Sequence, residues 1–247
     1  MLFLHGFMGR AEDWRGISTG LDERFFRIAV DLPGHGASLG MPRDRYTMEG
    51  AARSVLEVLD GAGVDRATIV GYSMGGRLAL HLALRQPDRC AGLFLESASP
   101  GLEDAGARAA RRRADEEKAT RLEGGDFEGF LHDWYRQPLF APLARDEDLL
   151  RRTIEDKVRN DPAELAKSLR GMGTGNQPQL WGELPDLRVP ALAVTGGLDE
   201  KFVGISHRMA SRAPGMRAAV VPGAGHNVHA EAPTAYLSSL EGFLSAT

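Results

Sequence analysis

The sequence predicts an α/β fold in which a mostly parallel sheet is covered by helices on both faces. Two observations support this prediction. Short apolar runs typical of strands alternate with helical patterns in residues 1–100, and again after residue 184. Between them, residues 101–183 form a series of charged helical patterns separated by Gly and Pro. The chain is therefore divided into a first core part (1–100), a helical lid insertion (101–183) and a second core part (184–247).

The composition is that of a globular chain with one substantial core. Of the 247 residues, 43% are hydrophobic and 26% are charged, and the formal net charge is −4. This charge balance gives no reason to expect nucleic acid or an anionic membrane as a partner. Cys90 stands alone, so we expect it in the core rather than in a disulfide. With no transmembrane or signal-peptide pattern, we expect a cytoplasmic protein. Its expected oligomeric state is a monomer or weak homo-oligomer.

The predicted elements follow in chain order. Apolar and β-branched runs predict strands at Met1–Leu4, Phe25–Leu32, Ala67–Val70, Arg89–Glu96, Val189–Thr195 and Ala218–Val221. Helical periodicity predicts core helices at Thr47–Ala62, from Gly76 onward and at Pro233–Leu244, and lid helices at Ala107–Leu122, Phe127–Arg136, Asp146–Arg159 and Pro162–Gly171. Function is expected in the loops after the strands, because ligands of parallel sheets bind at the strands' carboxyl ends.

The segment ATIVGYSMGGRLALHLAL (67–84) predicts a strand, a sharp turn and a helix, with Ser73 at the bend. The turn is a G-x-S-x-G sequence, and such a bend brings strand and helix so close that Cβ atoms beside the serine have no room. Gly71 and Gly75 meet that requirement. The pattern predicts that Ser73 is a nucleophile lifted above the sheet edge at a helix N-terminus.

A serine hydroxyl needs a histidine to take its proton and a carboxylate to orient that histidine. Asp199 follows the next-to-last predicted strand and His226 follows the last, which gives the chain order Ser, Asp, His. We predict Ser73, Asp199 and His226 as the catalytic triad. The alternatives for the carboxylate are Glu200 and Glu96, and the alternative for the base is His229.

Two backbone N–H groups are predicted to form an oxyanion hole. They belong to Met74, which follows the nucleophile, and to Phe7, which follows His5-Gly6 at the end of the first strand. We expect His5 to brace its loop by hydrogen bonding rather than to act as a base. Arg77 lies one helical turn after Ser73, so both side chains can project to one side, and an arginine there suggests a carboxylate on the substrate.

Taken together, these motifs make the chain similar to the α/β-hydrolase superfamily. A narrower resemblance is carried by LHGFMGRAEDW, DLPGHGAS, VGYSMGGRLAL, ESASPGL followed by ARAAR, FLHDWYRQPLF and GAGHNVHAEAP. Through these segments, which are spread over its whole length, the chain resembles the 2-succinyl-6-hydroxy-2,4-cyclohexadiene-1-carboxylate synthases of menaquinone biosynthesis. Family members have strands ahead of the one that ends in His-Gly, so the resemblance implies that N-terminal edge strands are missing here.

The resemblance implies a lyase on a hydrolase fold, without a cofactor or metal. The triad would abstract a proton from 2-succinyl-5-enolpyruvyl-6-hydroxy-3-cyclohexene-1-carboxylate and eliminate pyruvate, without an acyl-enzyme. Because this small substrate carries several carboxylates, the resemblance also implies substrate contacts. By motif position these are Tyr72, Arg77, Arg111, Trp134 and Arg159.

Two other functions are compatible with the motifs. A carboxylesterase or carbon–carbon bond hydrolase would use the same triad, and a non-catalytic small-molecule receptor could keep a similar pocket. The arginines distinguish these cases, because an enzyme for an anionic substrate needs Arg77 and Arg111 facing the pocket, whereas an esterase for neutral substrates would leave the pocket apolar.

Overall fold

The computed structural model describes residues 1–246, and in these residues six parallel strands form one sheet. The strands are β1 (Leu2–Leu4), β2 (Ile28–Val30), β3 (Ala67–Tyr72), β4 (Cys90–Glu96), β5 (Ala191–Gly196) and β6 (Met216–Val221). Their spatial order is β2-β1-β3-β4-β5-β6, and every neighbouring pair is parallel. All carboxyl ends therefore lie at one edge, where the predicted functional loops begin.

Helices cover both faces of this sheet, as predicted. The core helices are α1 (Arg15–Gly20), α2 (Met48–Gly61), α3 (Met74–Arg85), α8 (Glu200–Arg212), α9 (Val228–Glu231) and α10 (Pro233–Ser245), and the helices of the lid segment are α4 (Ala105–Glu123), α5 (Phe127–Tyr135), α6 (Glu147–Lys157) and α7 (Pro162–Met172). On one face, Leu2 and Leu4 pack with residues of α2, α3 and α8. On the other, Phe3 packs with residues of α1 and α10, because successive strand side chains point to opposite faces.

The lid segment has an apolar core of its own. Leu122 of α4, Leu131 of α5, Ile154 of α6 and Leu169 of α7 belong to one buried cluster. Met8, from the loop after β1, joins that cluster and so connects the lid helices to the sheet edge. The space between lid and sheet edge is where the candidate site lies.

The second strand is shorter than predicted, whereas Cys90 lies where it was expected. The strand predicted at Phe25–Leu32 is wrong in extent, because only Ile28–Val30 pairs with β1 and β1 itself is three residues long. Cys90 is fully buried in the core, as expected, and burial raises the pKa of its thiol to about 11. No helix within residues 1–246 is both long enough and apolar enough to cross a membrane.

Candidate active site

The turn between β3 and α3 has the geometry that the G-x-S-x-G pattern predicts. Ser73 has φ +49° and ψ −105°, a conformation that L-residues rarely adopt. A Cβ added at Gly71 would lie 2.6 Å from the carbonyl oxygen of Gly75, and one added at Gly75 would lie 2.2 Å from that of Leu4. Glycine at both positions therefore permits the tight approach of strand and helix that lifts Ser73 above the sheet edge.

The three predicted triad residues form one hydrogen-bonded chain. His226 Nε2 lies 3.2 Å from Ser73 Oγ, and His226 Nδ1 lies 2.7 Å from Asp199 Oδ2. Both His226 and Asp199 are buried. Since Nδ1–H donates to the carboxylate, Nε2 is the nitrogen that can accept the serine proton. The arrangement can generate an alkoxide-like oxygen at Ser73, for attack on a carbonyl or for removal of a proton.

The loops that carry Asp199 and His226 hold each other in place. The N–H of Gly197 donates to Val221 O over 2.8 Å, and the N–H of Leu198 donates to Ala224 O over 2.9 Å. Asp199 also caps α8, since its Oδ1 accepts the N–H of Phe202 at 3.3 Å. The carboxylate is thus fixed by a helix start as well as by the histidine it orients.

The structure separates the triad residues from their sequence alternatives. Glu200 lines the same cavity, yet Asp199 is the residue bonded to His226. Glu96 pairs instead with His229, whose Nδ1 lies 2.7 Å from Glu96 Oε2. The structure therefore contains a second buried histidine–carboxylate pair beside the triad.

The two predicted oxyanion-hole residues, Phe7 and Met74, both line the cavity beside Ser73. Met74 is the first residue of α3, so its N–H is one of the free donors of a helix N-terminus. Neither N–H has an intramolecular acceptor in the part of the chain that the structure describes. Both are thus available to an oxygen that develops negative charge.

His5 braces its loop, as expected. Its Nε2 accepts the N–H of Leu32 at 2.9 Å, so its Nδ1 carries the proton and donates to Gly6 O at 2.7 Å. Burial lowers the pKa of His5, which keeps the ring neutral. The loop that presents the Phe7 N–H is therefore joined to the loop after β2.

A cavity of about 860 Å³ lies above Ser73, between the sheet edge and the lid segment. Apolar walls come from Phe7, Trp134, Phe140 and Phe202, and the Trp134 and Phe7 rings lie 5.4 Å apart. The cationic side chains that line it are Arg77, Arg111, Lys118, Arg152, Lys157 and Lys201. Carboxylates line it as well, and two of them, Asp13 and Asp156, pair with Lys157. Apolar walls with cations that are not neutralised by such pairs suit a compact organic anion.

Arg77 is one of the two buried cations in this set. Its Nη1 donates to Met172 O at 2.8 Å and to Gln177 Oε1 at 3.2 Å, and both acceptors are neutral. Burial, together with the positive charge of Arg111, lowers the pKa of Arg77 to about 10, so it stays charged at neutral pH. Within residues 1–246 no carboxylate lies within ion-pair distance of this guanidinium. A buried cation of this kind favours an anionic ligand.

The other predicted contacts divide into two groups. Tyr72, Arg111 and Trp134 line the cavity, and Arg111 is oriented by a 2.7 Å bond from its Nε to buried Asp115. Arg159 does not line it: its side chain is 66% exposed and lies 3.9 Å from Asp156. The structure therefore contradicts the prediction that Arg159 is a substrate contact. It places Arg152, which lies in the preceding helix α6, at the cavity instead.

Residues 172–177 organise the arginines and carry no motif that predicts this role. Met172 and Gln177 bind Arg77, and the carboxylate of Asp115 that holds Arg111 also accepts the N–H of Gly175 at 3.3 Å. The i,i+4 spacing of Arg111 and Asp115 could have indicated their pairing. The contact between Arg77 and Met172 spans 95 residues and has no local signal.

The chain is similar over nearly its whole length to proteins of known family. The model of the α/β-hydrolase fold family matches residues 1–233. A Serratia proteamaculans protein named 2-succinyl-6-hydroxy-2,4-cyclohexadiene-1-carboxylate synthase is 34% identical, over 99% of this chain and 92% of its own. A Bacillus subtilis protein, which bears the same name in provisional form, is 36% identical over 98% of this chain and 89% of its own. The structure of MenH from S. aureus matches with a TM-score of 0.95 and 31% identity, covering 99% of this chain and 92% of that chain.

Proposed function

This chain belongs to the α/β-hydrolase fold family and, within it, to the 2-succinyl-6-hydroxy-2,4-cyclohexadiene-1-carboxylate synthases, and from this we propose its reaction and mechanism. The protein is a carbon–oxygen lyase of menaquinone biosynthesis that eliminates pyruvate from 2-succinyl-5-enolpyruvyl-6-hydroxy-3-cyclohexene-1-carboxylate. The single observation that supports this best is buried Arg77, a cation without a carboxylate partner in residues 1–246, which lies beside Ser73 in the same cavity.

The triad acts as a base in this reaction. His226 Nε2 takes the Ser73 proton, and the serine oxygen removes a proton from a ring carbon of the substrate. The electron pair of that C–H bond moves into the ring, the ring double bond shifts, and the C–O bond to the enolpyruvyl group breaks. The proton held by His226 is then available to the departing enolate, which becomes pyruvate.

The remaining residues hold the substrate so that a C–H bond, rather than a carbonyl carbon, faces Ser73. Arg77 and Arg111 bind carboxylates, Tyr72 and Trp134 contact the ring, and the N–H groups of Phe7 and Met74 stabilise oxygen charge during elimination. Burial and the nearby charge of Glu96 raise the pKa of Tyr72 well above its usual value, so its hydroxyl stays protonated and can donate.

We propose a cytoplasmic enzyme, a monomer or weak homo-oligomer, whose partner is this small polycarboxylate.

The test compares two activities of the purified protein. We expect pyruvate release from the enolpyruvyl substrate, followed with a coupled lactate dehydrogenase assay, to exceed hydrolysis of p-nitrophenyl esters by orders of magnitude in kcat/KM. Ser73→Ala should abolish pyruvate release. Ser206→Ala, which removes the hydroxyl of a buried serine of α8 that donates to Val203 O, is the matched control and should leave it unchanged. Rapid ester hydrolysis without pyruvate release would show a carboxylesterase instead.

A further inference from the structure

The turn that carries His226 is held by a carboxylate that the proposed reaction does not use. Glu231 Oε2 accepts the N–H of Gly225 at 2.7 Å, and its Oε1 accepts the N–H of Asn227 at 3.0 Å. These two N–H groups belong to the residues immediately before and after His226. The side chain of Glu231 therefore binds the backbone on both sides of the catalytic histidine.

The local fold brings Glu231 to this position. Helix α9 is a single turn that begins after Asn227, and the N–H of Glu231 donates back to Asn227 O at 2.9 Å. The side chain then reaches back along that turn to the two N–H groups. A Cβ added at Gly225 would lie 3.0 Å from Glu231 Oε2 and 2.7 Å from Pro142 Cγ, so the close approach of the carboxylate depends on glycine there.

A second carboxylate anchors the same short helix to the sheet. Glu96 is fully buried at the end of β4; its Oε1 accepts the N–H of His229 at 3.0 Å, and its Oε2 lies 2.7 Å from His229 Nδ1. The backbone carbonyl of Glu96 accepts the N–H of Ser73 at 2.8 Å. One strand end thus holds the turn of the nucleophile and the helix that follows the base.

Aromatic packing fixes the side chain of His229 further. Its ring stacks on Trp14 with centroids 4.6 Å apart, and Tyr72 meets it edge-on at 4.9 Å. Tyr72 also lies 5.6 Å from the ring of His226. The two histidine rings are therefore packed against one tyrosine, so a displacement of α9 would also displace the ring of His226.

We propose that Glu231 is a positioning residue for His226, with the Glu96–His229 pair as the anchor that ties this turn to the Ser73 elbow. The role requires two acceptor oxygens on one side chain, which a carboxylate supplies and a carboxamide does not. It places His226 Nε2 within reach of Ser73 before substrate binds, so that no ordering of the turn is needed during the reaction. This inference rests on the proposed function in one respect, which is that the kinetic test uses the substrate of that reaction.

Kinetics of Glu231→Gln and Glu231→Ala test the proposal. We expect kcat for pyruvate release to fall by about 10- to 100-fold for the glutamine variant and further for alanine, with KM nearly unchanged, because a small misplacement of a catalytic group is costly while the arginines are untouched. Glu164→Gln is the matched control: Glu164 is a buried carboxylate of α7 that also accepts a backbone N–H, from Gly40 at 3.1 Å, and it does not line the cavity. Its kcat should stay at the wild-type value.

A probe that needs no substrate separates this proposal from the proposed function. A fluorophosphonate labels a serine that its histidine has activated, and we expect labelling of Ser73 in Glu231→Gln to be at least about 10-fold slower than in wild type at equal thermal stability. Slower labelling supports the positioning role even if the wild-type protein releases no pyruvate. Labelling and kcat equal to wild type in both Glu231 variants would overturn it.

Discussion

At the scale of single residues, charge in the cavity decides what the triad can act on. Arg111 is bonded through Nε to Asp115, and its side chain is 37% exposed and lines the cavity, which leaves its other N–H groups for a ligand. We expect Arg111→Gln to raise KM about 10- to 100-fold with little change in kcat, since a lost hydrogen bond to a charged group costs about 1.5–3 kcal/mol. Steady-state pyruvate release measures both constants.

Two neighbouring arginines serve as controls for that measurement. Arg113 lies on the same helix but is exposed and does not line the cavity, and Arg159 points to solvent near Asp156. Arg113→Gln and Arg159→Gln should both keep the wild-type KM. If Arg111→Gln behaves as they do, its guanidinium is not a substrate contact.

At the scale of elements, the junction of β1, β3 and α3 carries the site, and its glycines are the sensitive points. We expect Gly75→Ala to destabilise the protein by about 1–3 kcal/mol or more, because the added Cβ would lie 2.2 Å from Leu4 O and the backbone of β1 would have to move. Gly204→Ala in α8 is the control: nothing lies within 4 Å of its added Cβ, so the change should stabilise by about 0.4–1 kcal/mol. Urea unfolding measures both, and equal effects would contradict the steric account.

The same elements show how far sequence patterns reach. The elbow, the alternation of strands and helices and the Ser, Asp, His order are local signals, so the sheet and the residues of the triad could be predicted. The length of β2 could not, because it depends on how many residues β1 offers as partners. Whether a lid arginine faces the cavity depends on where its helix ends: Arg152 lies within α6 and lines the cavity, whereas Arg159 lies beyond the end of α6 and does not. The contacts of Arg77 with Met172 and of Glu96 with His229 join distant segments, so no periodic pattern in the sequence predicts them.

At the scale of the whole molecule, buried histidines couple stability to pH. Burial lowers the pKa of His5, His35 and His81 below the usual value of about 6.5, and for His35 the nearby His5 adds to the effect. Well above pH 6.5 these rings are neutral in both the folded and the unfolded chain, so they do not make the free energy of unfolding depend on pH. As the pH falls below that value, the unfolded chain binds protons that the folded chain does not, and the free energy of unfolding decreases.

Each such histidine contributes at most about 1.4 kcal/mol per pH unit in this window, until the pH reaches its lowered pKa. Glu231 acts in the opposite sense, because burial raises its pKa and the folded chain then holds the proton more tightly. Burial also lowers the pKa of the N-terminal amine, which acts in the same sense as the histidines. Since four groups oppose one, we expect the free energy of unfolding, measured in urea, to fall between pH 7.5 and pH 5.5. His81 lies on α3 and does not line the cavity, so His81→Gln should make this decline shallower without removing activity at neutral pH. An unchanged slope in that variant would mean that His81 binds its proton equally well in the folded and unfolded chains.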